Sequence, residues 1–233
     1  QLNGQHEDSD EFAQLVYAEQ GADSYVQTYT SENRTAYKNR VKRIYQPKAD
    51  FLNEVLVADG ANTPRCADLG AGSGYFVSAL LNSGVDALGY EVGKGQVDLA
   101  DAMIGKGRVR HILLDQITDL AGSVDAEVIS MIGVLEHLQK PRAVLDAIKR
   151  NPSVRYLFIS VPLFSACVVL ESIFPKVMPR HLAGDHTHLF TESSLDWICR
   201  TYGFERIGEW WFGMDMMDLF RDVTVTLDSP NMT

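Results

Sequence analysis

The sequence predicts a wound α/β fold, a mostly parallel sheet with helices on both faces, and three observations carry that prediction. A glycine-rich stretch sits where a short buried strand turns into a helix. Four further strand-like runs follow it, at residues 87–91, 109–115, 126–132 and 156–161. The length of 233 residues is ordinary for such a unit with extra helices, and 45% hydrophobic residues suffice for a sizeable core.

The most informative stretch is Arg65 to Phe76, in which the acidic Asp68 leads three glycines at alternate positions, Gly70, Gly72 and Gly74. Cys66 to Leu69 read as the buried strand and Tyr75 to Leu81 as the helix, so the glycines occupy the turn between them. Only glycine lets backbone approach a ligand so closely in unusual dihedrals, which makes the turn a candidate nucleotide-cofactor loop. A dinucleotide fingerprint wants G-x-G-x-x-G. Here the spacing is G-x-G-x-G and Tyr75 stands at the sixth place, which argues against NAD and an NAD-dependent oxidoreductase. An ordinary tight turn is the plainer alternative.

The motif Asp68-x-Gly70-x-Gly72-x-Gly74 resembles the first motif of class I S-adenosylmethionine-dependent methyltransferases, and the units after it sustain the resemblance. Ala87 to Tyr90 form a strand-like run ending in Glu91, seventeen residues beyond Gly74, where a nucleoside-binding α/β fold places a carboxylate to accept from ribose hydroxyls. A solvated strand-end charge is the other reading of Glu91. Val109 to Asp115 read as a third strand with an acid at its carboxyl end. The resemblance implies that Asp115 meets the adenine amino group with Gln116 beside it, although Asp115 also suits a helix cap. Ala126 to Leu138 resemble the family's fourth strand followed by a V-L-E-H segment, Val134-Leu135-Glu136-His137, with Ile132 and Gly133 flanking the methionine part of the cofactor. Tyr156 to Val161 form a fifth strand stopped by Pro162.

The resemblance implies a Rossmann-like methyltransferase fold with seven strands, mostly parallel, the last pair antiparallel. Residues 1–60 would be an N-terminal helical cap and residues 61–233 the cofactor-binding core. The implied activity is methyl transfer from S-adenosyl-L-methionine to a small-molecule acceptor such as a sugar, a glycan precursor or a secondary metabolite. A catalytically inactive partner subunit that binds the same cofactor is the alternative from another class.

An insertion at about residues 163–190 is expected to build the acceptor side, because ligands of wound sheets sit beyond the carboxyl ends of the strands. It carries His181, His186 and His188 within eight residues. His186 and His188, with Asp185 and His181, offer nitrogen and oxygen ligands to a metal, but the preferred reading has no metal and gives these histidines to the acceptor. His137, His186 and His188 are the candidates to position or deprotonate it, since histidine titrates near neutrality.

Ahead of the glycine turn, Asp10 to Tyr17, Ser31 to Tyr45 and a segment opened by Pro47 read as helices, the last with Phe51, Leu52, Val55 and Leu56 on one face. Six basic residues and no acid lie between Arg34 and Lys48, read as a solvated helix face, with a phosphate or carboxylate site as the alternative. Tyr25, Tyr29 and Tyr37 read as packing residues. Thr191 is an expected N-cap and Gly203 a helix stop; Phe204 to Phe212 then read as a late strand and Gly213 to Phe220 as a helix with a Met and Phe stripe. Val223 to Leu227 either supply the last strand or extend that helix.

The net charge of −10 disfavours general nucleic-acid binding. Three widely spaced cysteines, Cys66, Cys167 and Cys199, without C-x-x-C, predict reduced thiols in a cytoplasmic protein and no zinc site. Tyr156 to Phe174 are mostly apolar, but Pro162, Ser160, Ser165 and Glu171 make a membrane span the poorer reading. A start at Gln1 without a leader pattern reads as a trimmed or excised chain, and nothing in the sequence sets the oligomeric state.

Overall fold

The computed structural model describes residues 33–62, 64–173 and 186–211. The chain divides into two compact units: of the described residues, one holds 33–135 and 139–160, the other 136–138, 161–173 and 186–211. The sequence readings at Asp10 to Tyr17, Tyr25, Tyr29, His181, Asp185, Gly213 to Phe220 and Val223 to Leu227 lie outside the described residues.

The first unit is built on five parallel strands: β1 (Cys66–Leu69), β2 (Ala87–Glu91), β3 (Val109–His111), β4 (Val128–Ile132) and β5 (Tyr156–Ser160), in the order β3-β2-β1-β4-β5. Near-continuous burial of β1 and β4 is what a strand covered on both faces needs. After β1 the chain winds outward through α3 (Tyr75–Asn82) and α4 (Lys94–Ile104). It then crosses back through α5 (Ile117–Ser123) to β4 and winds the other way through α6 (Pro141–Arg150). Right-handed crossovers therefore put the two helix pairs on opposite faces, and the winding reverses between β1 and β4. Pro141 sits in the first turn of α6, where its missing N–H costs nothing.

Two helical stretches precede β1. Asn33 caps α1 (Arg34–Arg40) through its side chain, a π-helical turn follows at Val41–Tyr45, and Pro47 opens α2 (Gln46–Ala58). Of the basic run, Arg34, Lys38, Lys42 and Arg43 are exposed, as expected of a solvated face. Lys48 departs from that face: it is buried, and burial lowers its ammonium to about 8. Tyr37 is a packing residue, 2% exposed, stacked on Tyr75 at 4.7 Å with its hydroxyl donating to the Ser73 carbonyl at 3.0 Å. Phe158 of β5 stacks on Phe76 at 5.7 Å, joining the sheet core to α3.

Two strand expectations are corrected. The third strand stops at His111 and residues 114–116 form a 3-10 turn, because the Gln116 side chain accepts from the Leu113 N–H at 2.9 Å and curls the chain. Residues 204–211 form no strand; they are mostly exposed, and Arg206 is bound to Asp196 and Glu209. The described residues thus hold five of the seven strands expected.

The second unit contains α7 (Ala166–Ile173) and α8 (Glu192–Tyr202). Thr191 caps α8 by accepting from Ser194 N–H, and Gly203 ends it at φ 74, as the sequence predicts. Phe190 pairs with Leu163, and Thr187 and His188 donate their amides to the Glu136 carbonyl at 2.9 and 3.1 Å. No helix among the described residues is long and apolar enough to cross a membrane. The apolar run from Tyr156 is divided between β5 and α7. Cys66 and Cys199 are free thiols.

Candidate active site

The glycine turn leaves β1 where the strand order reverses. Gly70 and Ala71 both donate to the Tyr90 carbonyl, at 2.8 and 3.1 Å, which ties the turn to the end of β2. Gly72, at φ 53, donates its amide to Glu91 Oε2 at 2.7 Å. Gly74, at φ 74, is the N-cap of α3 and has no side chain to satisfy the helix's first amides. Such an end favours an electron-rich ligand.

The glycines are required for different reasons. A Cβ on Gly70 would come within 2.5 Å of Val134 Cγ2, and one on Gly74 within 2.9 Å of Ile104 Cδ1. Among the described residues the Cβ direction at Gly72 is open, with only Gln96 Nε2 at 3.9 Å. Gly70 and Gly74 are packed; Gly72 faces space.

Glu91, 7% exposed, ends β2 and receives three backbone amides, from Gly72, Val92 and Gly93, at 2.7 to 2.8 Å. Burial raises its carboxyl while those three bonds oppose the shift. Asp68, buried within β1, lies opposite Ser130 of β4 and accepts from its hydroxyl at 2.7 Å. Burial pushes its carboxyl up to about 7, Ser130 pulls the other way, and the charge of Glu91 adds to the rise.

A folded value of about 7 against an ordinary 3.8 means the native state holds the Asp68 proton more tightly than the unfolded chain. Stability from this group is therefore full below about pH 4 and is lost as pH climbs through 7. Denaturant melts at stepped pH should show the midpoint falling across that window. Asp68→Asn should flatten the slope, leaving the parts that Glu91 and the buried Glu136 contribute with the same sign; an unaltered slope in the variant would place the titration elsewhere.

Ile132 ends β4 and Gly133 follows it, at φ 67, donating to the Ser160 carbonyl at 2.9 Å. Asp115 is exposed on the 3-10 turn, while Gln116 is turned back on its own loop.

An adenosyl group fits this arrangement: an open Cβ direction at Gly72, a buried carboxylate beside it and an uncapped helix start. The Methyltransferase domain family matches residues 34–208, most of the chain. The chain belongs to that family. It is an S-adenosylmethionine-dependent methyltransferase. Comparison by sequence with curated proteins finds no match.

Among solved structures, the methyltransferase is similar to magnesium protoporphyrin IX methyltransferase of Synechocystis PCC 6803 with bound S-adenosylhomocysteine: 18% identity, 84% of this chain, 89% of that one, TM-score 0.59. It is also similar to the plantazolicin methyltransferase BpumL, in complex with a desmethyl analogue and S-adenosylhomocysteine, at 15% identity over 94% of this chain and 90% of that one, TM-score 0.57. An O-methyltransferase family protein of Burkholderia thailandensis matches 85% of this chain and 61% of its own at 17% identity, TM-score 0.55. At such identities the likeness is one of fold.

The second unit brings two of the three candidate histidines together. His137 and His186 approach edge to face at 4.7 Å between ring centroids. The Nδ1 of His188 instead meets the Thr187 hydroxyl at 2.8 Å. Sequence reasoning passed over Glu136, which is 2% exposed beside the paired histidines, with its carboxyl pushed up to about 7 by burial. A local signal existed in the acid of the V-L-E-H segment. The Thr187 hydroxyl that bonds its carbonyl arrives some fifty residues later in the chain.

Proposed function

We propose that the glycine turn and Glu91 hold the adenosyl part of S-adenosylmethionine, and that the methyl group passes to a small-molecule acceptor. Gly72 carries this reading: its amide is bonded to the Glu91 carboxylate, and its open Cβ direction lies at the reversal of strand order. A carboxylate offers about four acceptor sites, so three amides leave Glu91 room for a ribose hydroxyl. Asp68 shapes the turn from beneath through Ser130. Exposed Asp115 is available to the adenine amino group, with Gln116 acting only through its backbone. Ile132 and Gly133, at the end of β4, take the methionine side.

A small-molecule acceptor is supported by two relatives in fold, whose names specify magnesium protoporphyrin IX and plantazolicin, and by a net charge of −10, which repels phosphate backbones. When bound, the cofactor supplies a methyl group on a positively charged sulfur. The chain's own part is to align the acceptor atom and take its proton where it has one.

His137, His186 and His188 serve the acceptor. In chain order Glu136 and His137 follow the last residue of β4 by four and five places. The Thr187 hydroxyl lies 3.0 and 3.3 Å from the carbonyls of Glu136 and Leu138 and 2.8 Å from His188 Nδ1, a contact that sets the orientation of the His188 ring.

Glu91→Ala should weaken S-adenosylhomocysteine binding by about 1–3 kcal/mol, the cost of losing charge-assisted hydrogen bonds, with the fold retained. Calorimetry on the variant checks this. Unchanged affinity in a folded Glu91→Ala protein would remove Glu91 from the site and the proposal with it.

A further inference from the structure

We infer that Glu136, His137 and His186 form a binding site for a divalent transition-metal ion of the zinc, cobalt or iron(II) kind. One ligand atom from each residue lies within 4.8 Å of the other two, all inside the second unit, and they are the one such group of three among the described residues.

The geometry is held by backbone. Glu136 and His137 are neighbours on the turn at residues 135–137. The amides of Thr187 and His188 both land on the Glu136 carbonyl, at 2.9 and 3.1 Å, and the Thr187 hydroxyl reaches the same oxygen at 3.0 Å. Those bonds fix His186, the residue just before Thr187, against the turn. A tetrahedral ion with bonds of about 2.0–2.2 Å wants its ligand atoms roughly 3.3 Å apart, so the side chains need close by no more than about 1.5 Å.

A second observation is independent of that clustering. Glu136 is 2% exposed, and its Oε2 is a buried oxygen with no hydrogen-bond partner among the described residues. A buried carboxylate oxygen left in that state is costly, and a cation beside it removes the cost. Two imidazoles and one carboxylate suit zinc, cobalt or iron(II), whereas magnesium and calcium favour sets made wholly of oxygen. Three protein ligands also leave coordination positions open, as catalytic metal sites do.

The set differs from the one visible in the sequence, since His188 is turned to Thr187 and the other two ligands come from the V-L-E-H segment. Its chemical role rests on the proposed methyl transfer: an acceptor oxygen in an open position would be held and oriented. Binding of the ion does not depend on that role.

The test is a titration of tag-free, chelator-treated full chain with Co²⁺, followed by its visible absorption, and with Zn²⁺ against a chromophoric chelator. S-adenosylhomocysteine affinity is measured on the same samples. One equivalent of Co²⁺ or Zn²⁺ per chain is expected, undisturbed by a large excess of Mg²⁺. Glu136→Gln and His186→Gln should each weaken it by more than about 100-fold, since even outer-shell changes cost about 10–100-fold. His111→Gln, on an exposed histidine of β3, should leave the titration unchanged. Should the buried Glu136 variant fail to fold, His137→Gln at a half-buried position makes the same demand. Absence of stoichiometric binding overturns the site. So does unweakened binding in variants that still take S-adenosylhomocysteine as the parent does. A parent that binds the ion but no S-adenosylhomocysteine would instead overturn the cofactor proposal and leave the metal site standing.

Discussion

Alanine in place of His188 is expected to lower methyl transfer by about 10²–10⁴-fold while S-adenosylhomocysteine affinity stays within a few-fold, the signature of lost proton transfer rather than lost binding. The Thr187 contact is why His188 takes this place among the three histidines: it orients the ring, and histidine titrates near neutrality. The deficit should shrink as pH rises, because a more basic medium deprotonates the acceptor without help. His137→Ala and His186→Ala should lose rate on a similar scale, but at every pH, since their proposed part is to hold and orient. Steady-state rates over a pH series separate the two patterns. If all three variants turn over an acceptor at the parent rate, alignment alone carries the reaction and the histidines leave the site.

Gly72→Val should abolish S-adenosylhomocysteine binding, a loss beyond about 100-fold or roughly 3 kcal/mol. Two costs add. At φ 53 a β-branched residue pays at least about 1–2 kcal/mol of backbone strain, and relieving it pulls the Gly72 amide away from Glu91. The side chain also enters the open space that the cofactor is proposed to fill. Gly60→Val isolates the second cost, because Gly60 has φ 79 with nothing within 4 Å of its Cβ and lies beyond α2. That control should lose stability and keep affinity; equal affinity in both variants would mean the space at Gly72 is not the cofactor's.

Much of this molecule is legible from the chain because its signals are local. The alternate glycines behind Asp68 announce a strand-to-helix turn, and the structure adds the reasons: Gly74 meets α4 and β3, Gly70 meets Val134, and Gly72 is left open. Glu91 is placed by spacing alone. Its three amides are not, because they come from a turn that curls only when the strands are aligned. The third strand is over-read since Val109 to Asp115 look uniformly extended, whereas a single side-chain bond from Gln116 ends it early. Residues 204–211 have a strand's composition but are exposed, and composition cannot supply a ladder partner. Glu136 is the instructive omission: an acid in a familiar segment becomes chemically distinctive only when the fold buries it and brings the Thr187 and His188 amides to its carbonyl.

The most direct test of the central claim is a pair of calorimetric titrations of the full chain, one with S-adenosylhomocysteine and one with NAD, repeated on Glu91→Ala. One-to-one binding of S-adenosylhomocysteine, weakened by about 1–3 kcal/mol in the variant, with no heat from NAD, is the predicted result. Binding of NAD without S-adenosylhomocysteine, or S-adenosylhomocysteine bound as tightly by the folded variant as by the parent, would contradict the site described.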